Sequence, residues 1–236
     1  QELAGTYTAN YDKLYDITIN SSNGTVTITD NKTEGIENEN IEFTISPNTD
    51  YRLIEVRVNN ETVQAQDGKY TFAMPAENVT IEVTYSELFD IVVTSDHGTV
   101  TITDNKTEAI ENESVSFTIE PSENYRIESI SINSGSVEYT QEGDTYSFTM
   151  PAGLVIIAVT YDREYAITVD SNSSAYVQID KQNAIAGESV EFTVSVREGY
   201  RIIEVKYNDT ILQSETNTYS FNMPAGDAEI VVTYKE

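Results

Sequence analysis

The chain has 236 residues, with 13 Lys and Arg against 40 Asp and Glu, one His and no Cys, for a formal net charge of −27. A surface so acidic repels phosphate backbones and anionic lipid, and a chain without thiols has no disulfide framework, thiolate metal site or cysteine nucleophile. Hydrophobic residues make up 39%, enough for packed cores, yet no apolar run approaches the roughly 20 residues of a membrane span.

Residues 1–14 read as the residual closing strand, or cap, of an upstream module. At an offset of 74, Tyr7, Ala9 and Tyr11 fall on Ile81, Val83 and Tyr85. No basic segment followed by an apolar core opens the chain, so in an exported protein the signal would have been removed before this numbering begins.

Residues 15–87 form the first module. Apolar residues alternate with polar ones in Tyr15/Ile17/Ile19, Val26/Ile28, Ile41/Phe43/Ile45, Ile54/Val56/Val58, Tyr70/Phe72/Met74 and Val79/Ile81/Val83/Tyr85. Period two predicts half-buried strands, and no helical spacing competes. Ser22-Asn23-Gly24 and Asp96-His97-Gly98 read as tight turns with residues that tolerate positive φ. Met-Pro-Ala at 74–76 ends a strand and plugs the core edge.

The pattern returns over residues 88–163 and 164–236. Met-Pro-Ala recurs at Met150 and Met223, Tyr-Arg at Tyr51, Tyr125 and Tyr200, and Val-Thr-Tyr ending at Tyr85, Tyr161 and Tyr234. The run GTVTITDNKTE at 24–34 is repeated unchanged at 98–108. The fold class is therefore all-β: three tandem small antiparallel modules, each a two-layer sandwich or partly closed barrel, following one another in an elongated rod. The junctions Ser86-Glu87-Leu88 and Asp162-Arg163-Glu164 are short and lack Gly and Pro, so the last strand of one module should feed almost directly into the next. Twelve tyrosines, Tyr11 among them, recur in register and should bury their rings with the hydroxyl at the rim.

The third module shows the fullest pattern: Tyr165-Ala166-Ile167-Thr168, Glu188-Ser189-Val190-Glu191-Phe192-Thr193, Gly199-Tyr200-Arg201-Ile202 and Tyr219 through Tyr234. It resembles the divergent internalin-B-type B-repeats found in tandem in bacterial surface proteins. The most specific element is the Tyr…Phe-x-Met-Pro-Ala ending, and the resemblance covers nearly the whole chain. The first two modules have Asp50 and Asn124 where the third has Gly199. The resemblance implies a non-catalytic stalk or adhesive region at the cell surface or cell wall, and a β-grasp topology with one helix as the alternative fold.

Few residues carry chemistry. His97 reads as a turn residue. Asp30, Glu34 and Glu37 share one loop, and Asp104, Glu108 and Glu111 its copy; hard oxygen ligands so spaced are calcium candidates. Lys32 and Lys106 interrupt the clusters, and the third module keeps only Asp180. Tyr139, Tyr176 and Tyr207 have no counterpart in sister modules and, with Tyr7, are the ligand candidates for a carbohydrate- or matrix-binding alternative. The expectation is a monomeric spacer and adhesive module without cofactor or enzyme activity. Its partner would be a host or cell-surface protein or glycan, not nucleic acid or an inserted membrane.

Overall fold

The computed structural model describes residues 11–170 and 174–236. The strand or cap expected at 1–14 therefore lies mostly outside the described residues. Residues 11–13 are not in a strand, and Tyr11, assigned above to the buried set, is 90% exposed.

The first repeat holds β1 (Leu14–Ser21), β2 (Gly24–Ile28), β3 (Glu34–Ile36), β4 (Asn40–Pro47), β5 (Tyr51–Val58), β6 (Glu61–Thr62) and β7 (Tyr70–Ala73). β8 (Val79–Ser95) ends this repeat and begins the next. There follow β9 (Gly98–Ile102), β10 (Glu108–Ile110), β11 (Ser114–Pro121), β12 (Tyr125–Ile132), β13 (Tyr139–Glu142) and β14 (Thr145–Thr149). β15 (Val155–Asp170) again serves two repeats. The last repeat adds β16 (Ala175–Ile179), β17 (Asn183–Ile185), β18 (Ser189–Val196), β19 (Arg201–Tyr207), β20 (Thr210–Leu212), β21 (Thr218–Asn222) and β22 (Ala228–Lys235). Short 3-10 turns are the only helical elements among the described residues, so the helix of a β-grasp is not formed.

The described residues form two compact units, one of residues up to 91 with 106–115 and 149–155, the other of residues 92–105 with 116–148 and those from 156 onward. The first unit contains the whole first repeat. Its β2, β4 and β7 pair antiparallel in one layer. In the other layer β5 pairs antiparallel with β8, and β8 runs parallel to β1, Ile17 opposite Val79 through Ser21 opposite Val83. Between the layers lie Ile17, Ile41, Phe43, Val56, Met74 and Ile81, the residues that alternation turns to one face. No barrel closes. The second unit contains the whole third repeat, built alike. There β16, β18 and β21 form one layer, and β19, β22 and β15 the other, with β15 parallel to β22. Its core centres on Val190, Phe192, Met223 and Ile230.

The parallel pairing departs from the purely antiparallel expectation. Alternation fixes which face a residue takes but not which way its strand runs. Ile54, expected inward, is 48% exposed, because pairing between β5 and β8 slips between Leu53 and Glu55. The same slip leaves Ile203 exposed. A bulge turns the residue that it inserts to the other face.

The methionines act as expected. Met74, Met150 and Met223 are each at most 2% exposed, and the backbone of each is clipped to the turn that leads into β4, β11 or β18. Met74 N–H donates to Glu39 O and Met74 O accepts from Asn38, both at 2.8 Å, as do Met150 and Met223 with their counterparts within 0.1 Å. The glycines of the two GTVTITDNKTE runs do something other than expected. Neither Gly24 nor Gly98 has positive φ. A Cβ on Gly24 would lie 2.3 Å from the Tyr85 hydroxyl, and one on Gly98 as near that of Tyr161. These glycines admit a tyrosine ring against the backbone.

Candidate functional site

The feature that recurs with polar side chains in fixed geometry is the joint between consecutive repeats. Each joint lies within one unit. At the first, β8 passes from one repeat to the next without a break. Tyr51 of β5 is opposite Glu87, and Ile110 of β10 is opposite Leu88, so the ladder changes partner at adjacent residues. The amide of Leu88 donates to Asp50 O at 2.8 Å, a carbonyl that Asp50 presents from a left-handed conformation, φ 64°. At the second joint Glu164 N–H donates to Asn124 O at 2.8 Å, with φ 63° at Asn124. Gly199 takes φ 88° in the third repeat. Asp and Asn thus stand in for the glycine because they tolerate this region better than other side chains.

Beside each joint an arginine of one repeat meets a glutamate of the next. Arg52 donates to Glu113 at 2.6 Å, and Lys106 donates to the other carboxylate oxygen at 2.6 Å. The Ile110 amide donates to Glu113 at 3.2 Å. Arg126 reaches Glu188 at 2.9 Å, where Lys181 donates at 2.9 Å and the Ile185 amide at 3.1 Å; Arg126 also lies 4.0 Å from Glu164. The Lys106 ammonium, then the Ile110 amide and the Arg52 guanidinium, hold the Glu113 carboxyl at about 2, against partial burial that pushes it up. Glu188 is likewise held at about 2, by Lys181 first, then the Ile185 amide and Arg126. In the first repeat Lys32 donates to Glu39 and the Ile36 amide adds a bond at 3.1 Å, without an arginine among the described residues. Glu39 is lowered by Lys32, and Lys32 raised by Glu39.

The lysines that break up the acidic runs are thus ion-pair partners. The calcium candidates are not gathered. Asp30 and Asp104 sit in 3-10 turns with φ 61°, Glu34 and Glu108 begin β3 and β10, and Glu37 and Glu111 follow those strands. Among the described residues no group of three or more His, Asp or Glu converges on a common point.

The ligand candidates divide. Tyr207 stacks on Phe221, ring centroids 4.4 Å apart and 10° between planes. Tyr139 sits opposite Phe148 and packs edge-on against Tyr146 at 5.9 Å. Tyr176 is 55% exposed, its hydroxyl accepting from Arg197 Nε at 3.2 Å with the guanidinium over the ring. Tyr7 lies outside the described residues. His97 stacks on Tyr125 at 4.1 Å, a packing contact in a turn.

Sequence reading missed Asn59, Asn133 and Asn208. All have φ between 45° and 48°, and each side-chain oxygen accepts from a backbone amide of the closing strand, at 2.8, 2.7 and 2.8 Å. Their spacing of 74 and 75 residues was the available signal.

The profile of the divergent InlB B-repeat domain matches the chain three times, over residues 15–88, 90–164 and 165–236. The chain belongs to that family. Its repeats make a tandem region of the kind carried by bacterial surface proteins, and the family is typically non-catalytic. No curated protein is similar to the chain in sequence. Among solved structures, the I9–I11 tandem from titin aligns at 8% identity over 94% of this chain and 96% of its own, with a TM-score of 0.15. An E-to-A variant of titin domains I67–I69 aligns at 6% identity over the same shares, with a TM-score of 0.12. Among the described residues no helix is long and apolar enough to cross a membrane.

Proposed function

We propose that this B-repeat region is an extracellular spacer that sets the distance and direction of whatever it joins, as a monomer without catalytic chemistry of its own. The observation that carries this reading is the joint. A strand that crosses the boundary unbroken, with an Arg–Glu–Lys cluster alongside, has no flexible linker between repeats and resists bending there. A region evolved for tethering alone would be served by Gly- and Ser-rich connections. Its acidity keeps such a surface soluble and weakly self-repelling. Small-angle scattering tests the reading: an extended profile is expected for the intact chain, with greater flexibility in the double variant Arg52→Ala, Arg126→Ala. A compact profile, or one indifferent to both changes, overturns it.

An adhesive contribution through a glycan or matrix ligand has one observation in its favour, the exposed Tyr176 ring beside Arg197. A ring open on one side with a cation nearby suits sugar stacking and acidic substituents. The check is a glycan array with the wild type and Tyr176→Ala, which should lose any hit.

A further inference from the structure

One aromatic position is treated differently in the three repeats. Phe72, Phe148 and Phe221 occupy the same place, two residues before the core methionine. Tyr207 lies flat on Phe221, and Tyr139 is the cross-strand neighbour of Phe148. Phe148 and Phe221 are accordingly buried, 4% and 6% exposed. The first repeat has no tyrosine here. Val58 stands where the third repeat has Tyr207: each is the second residue after the buried valine of its strand, Val56 or Val205, and each is opposite a core isoleucine, Ile81 or Ile230. Phe72 is only half-buried, and it forms one wall of an open groove of about 370 Å³.

Val58, Val63 and Pro75 line that groove with Phe72, and Glu61 and Glu77 bring two carboxylates to it. Neither glutamate has an ion-pair partner among the described residues. Asn59 braces one side, its amide donating to Glu77 at 3.4 Å and to Asn78 O at 3.3 Å. The groove is thus a ring-sized apolar slot with an acidic border, in a place where the third repeat supplies its own tyrosine.

We propose that the first repeat docks an aromatic side chain flanked by basic residues, presented by a partner polypeptide. The ring takes the position over Phe72 that Tyr207 takes over Phe221, and the neighbouring cations meet Glu61 and Glu77. The net charge of −27 favours a basic partner at long range as well. This goes beyond the spacer reading, and a failed titration here would leave the scattering result untouched.

The test is an NMR titration of the whole chain with the capped tripeptide Lys-Tyr-Lys, with Lys-Ala-Lys and Glu-Tyr-Glu as controls. Signals of residues 58–77 should move with Lys-Tyr-Lys, and each control should bind about tenfold more weakly. Val58→Tyr, which copies the third repeat, should abolish the effect. The double variant Glu61→Gln, Glu77→Gln, at two exposed positions, should weaken Lys-Tyr-Lys binding about tenfold. Should Val58→Tyr fail to fold, the glutamine pair decides. Equal binding of Lys-Ala-Lys, indifference to Val58→Tyr, or indifference to the glutamine pair overturns the proposal. So does a shift of the same signals on concentrating the protein without peptide, which would make a second copy the occupant.

Discussion

The first and third repeats share a frame and differ in how they finish it. Both place a Phe, Phe43 or Phe192, at the centre of a two-layer core, stacked with Tyr70 or Tyr219 at 5.3 and 5.5 Å. The rim is solved twice over. In the first repeat Gly24 lets the Tyr85 ring lie on the backbone, its hydroxyl 2.9 Å from Ser21 Oγ. In the third repeat Ala175 takes the corresponding strand position, and the Tyr234 hydroxyl instead accepts from the Ser174 amide at 3.2 Å. The lesson is that the core residues and the joints hold the repeat, while rim and groove positions are free to diverge.

That comparison can be broken in several ways. The largest effect is expected in the cores. Phe43→Ala and Phe192→Ala should each cost about 3–5 kcal/mol. Each should speed amide hydrogen exchange chiefly in its own repeat; equal deprotection of both would show a single cooperative core. Next comes the rim. Gly24→Ala should destabilise by about 1–3 kcal/mol by overpacking the Tyr85 ring, whereas Ala175→Gly should cost about 1 kcal/mol or less. Denaturant melts of the two variants give the difference directly, and equal costs would mean the tyrosine shifts freely.

The joints come third. Glu113→Gln should cost about 1–2 kcal/mol by leaving Lys106 and Arg52 without their carboxylate. This contribution has a definite pH dependence. The folded carboxyl, at about 2, lies below its ordinary value of 4.5, so the stabilisation is full above the unfolded value and fades as pH falls from there towards 2. The gap between wild type and Glu113→Gln should therefore close on acidification; a constant gap would assign the loss to packing. The smallest effect is at the exposed pair without an arginine. Lys32→Ala should shift the melt least of all, and less than Lys106→Ala does.

Much of this architecture was legible in the residues. Alternation located the strands, and the recurring Met-Pro-Ala placed the core plug, because burial on one face leaves a period-two mark whatever the topology. What stayed hidden has particular causes. The joint pairs residues 61 and 62 apart, Arg52 with Glu113 and Arg126 with Glu188, and nothing local in a charged side chain marks its distant partner. Gly24 was taken for a turn former because the approach of Tyr85, 61 positions later, leaves no local sign. Ile54 looked inward because a bulge shifts phase without altering the letters around it. Tyr207 and Tyr139 looked unexplained because the open position over Phe72 is visible only with the three repeats side by side.

The parallel alignment of β1 with β8, and of β15 with β22, has a mechanical consequence. The strands that enter and leave a repeat are neighbours running in the same direction, so a pull on its two ends draws them past each other lengthwise. The load falls on the rungs between them in shear, all at once, instead of peeling them one by one. A protein tugged at both ends is held hardest by that arrangement.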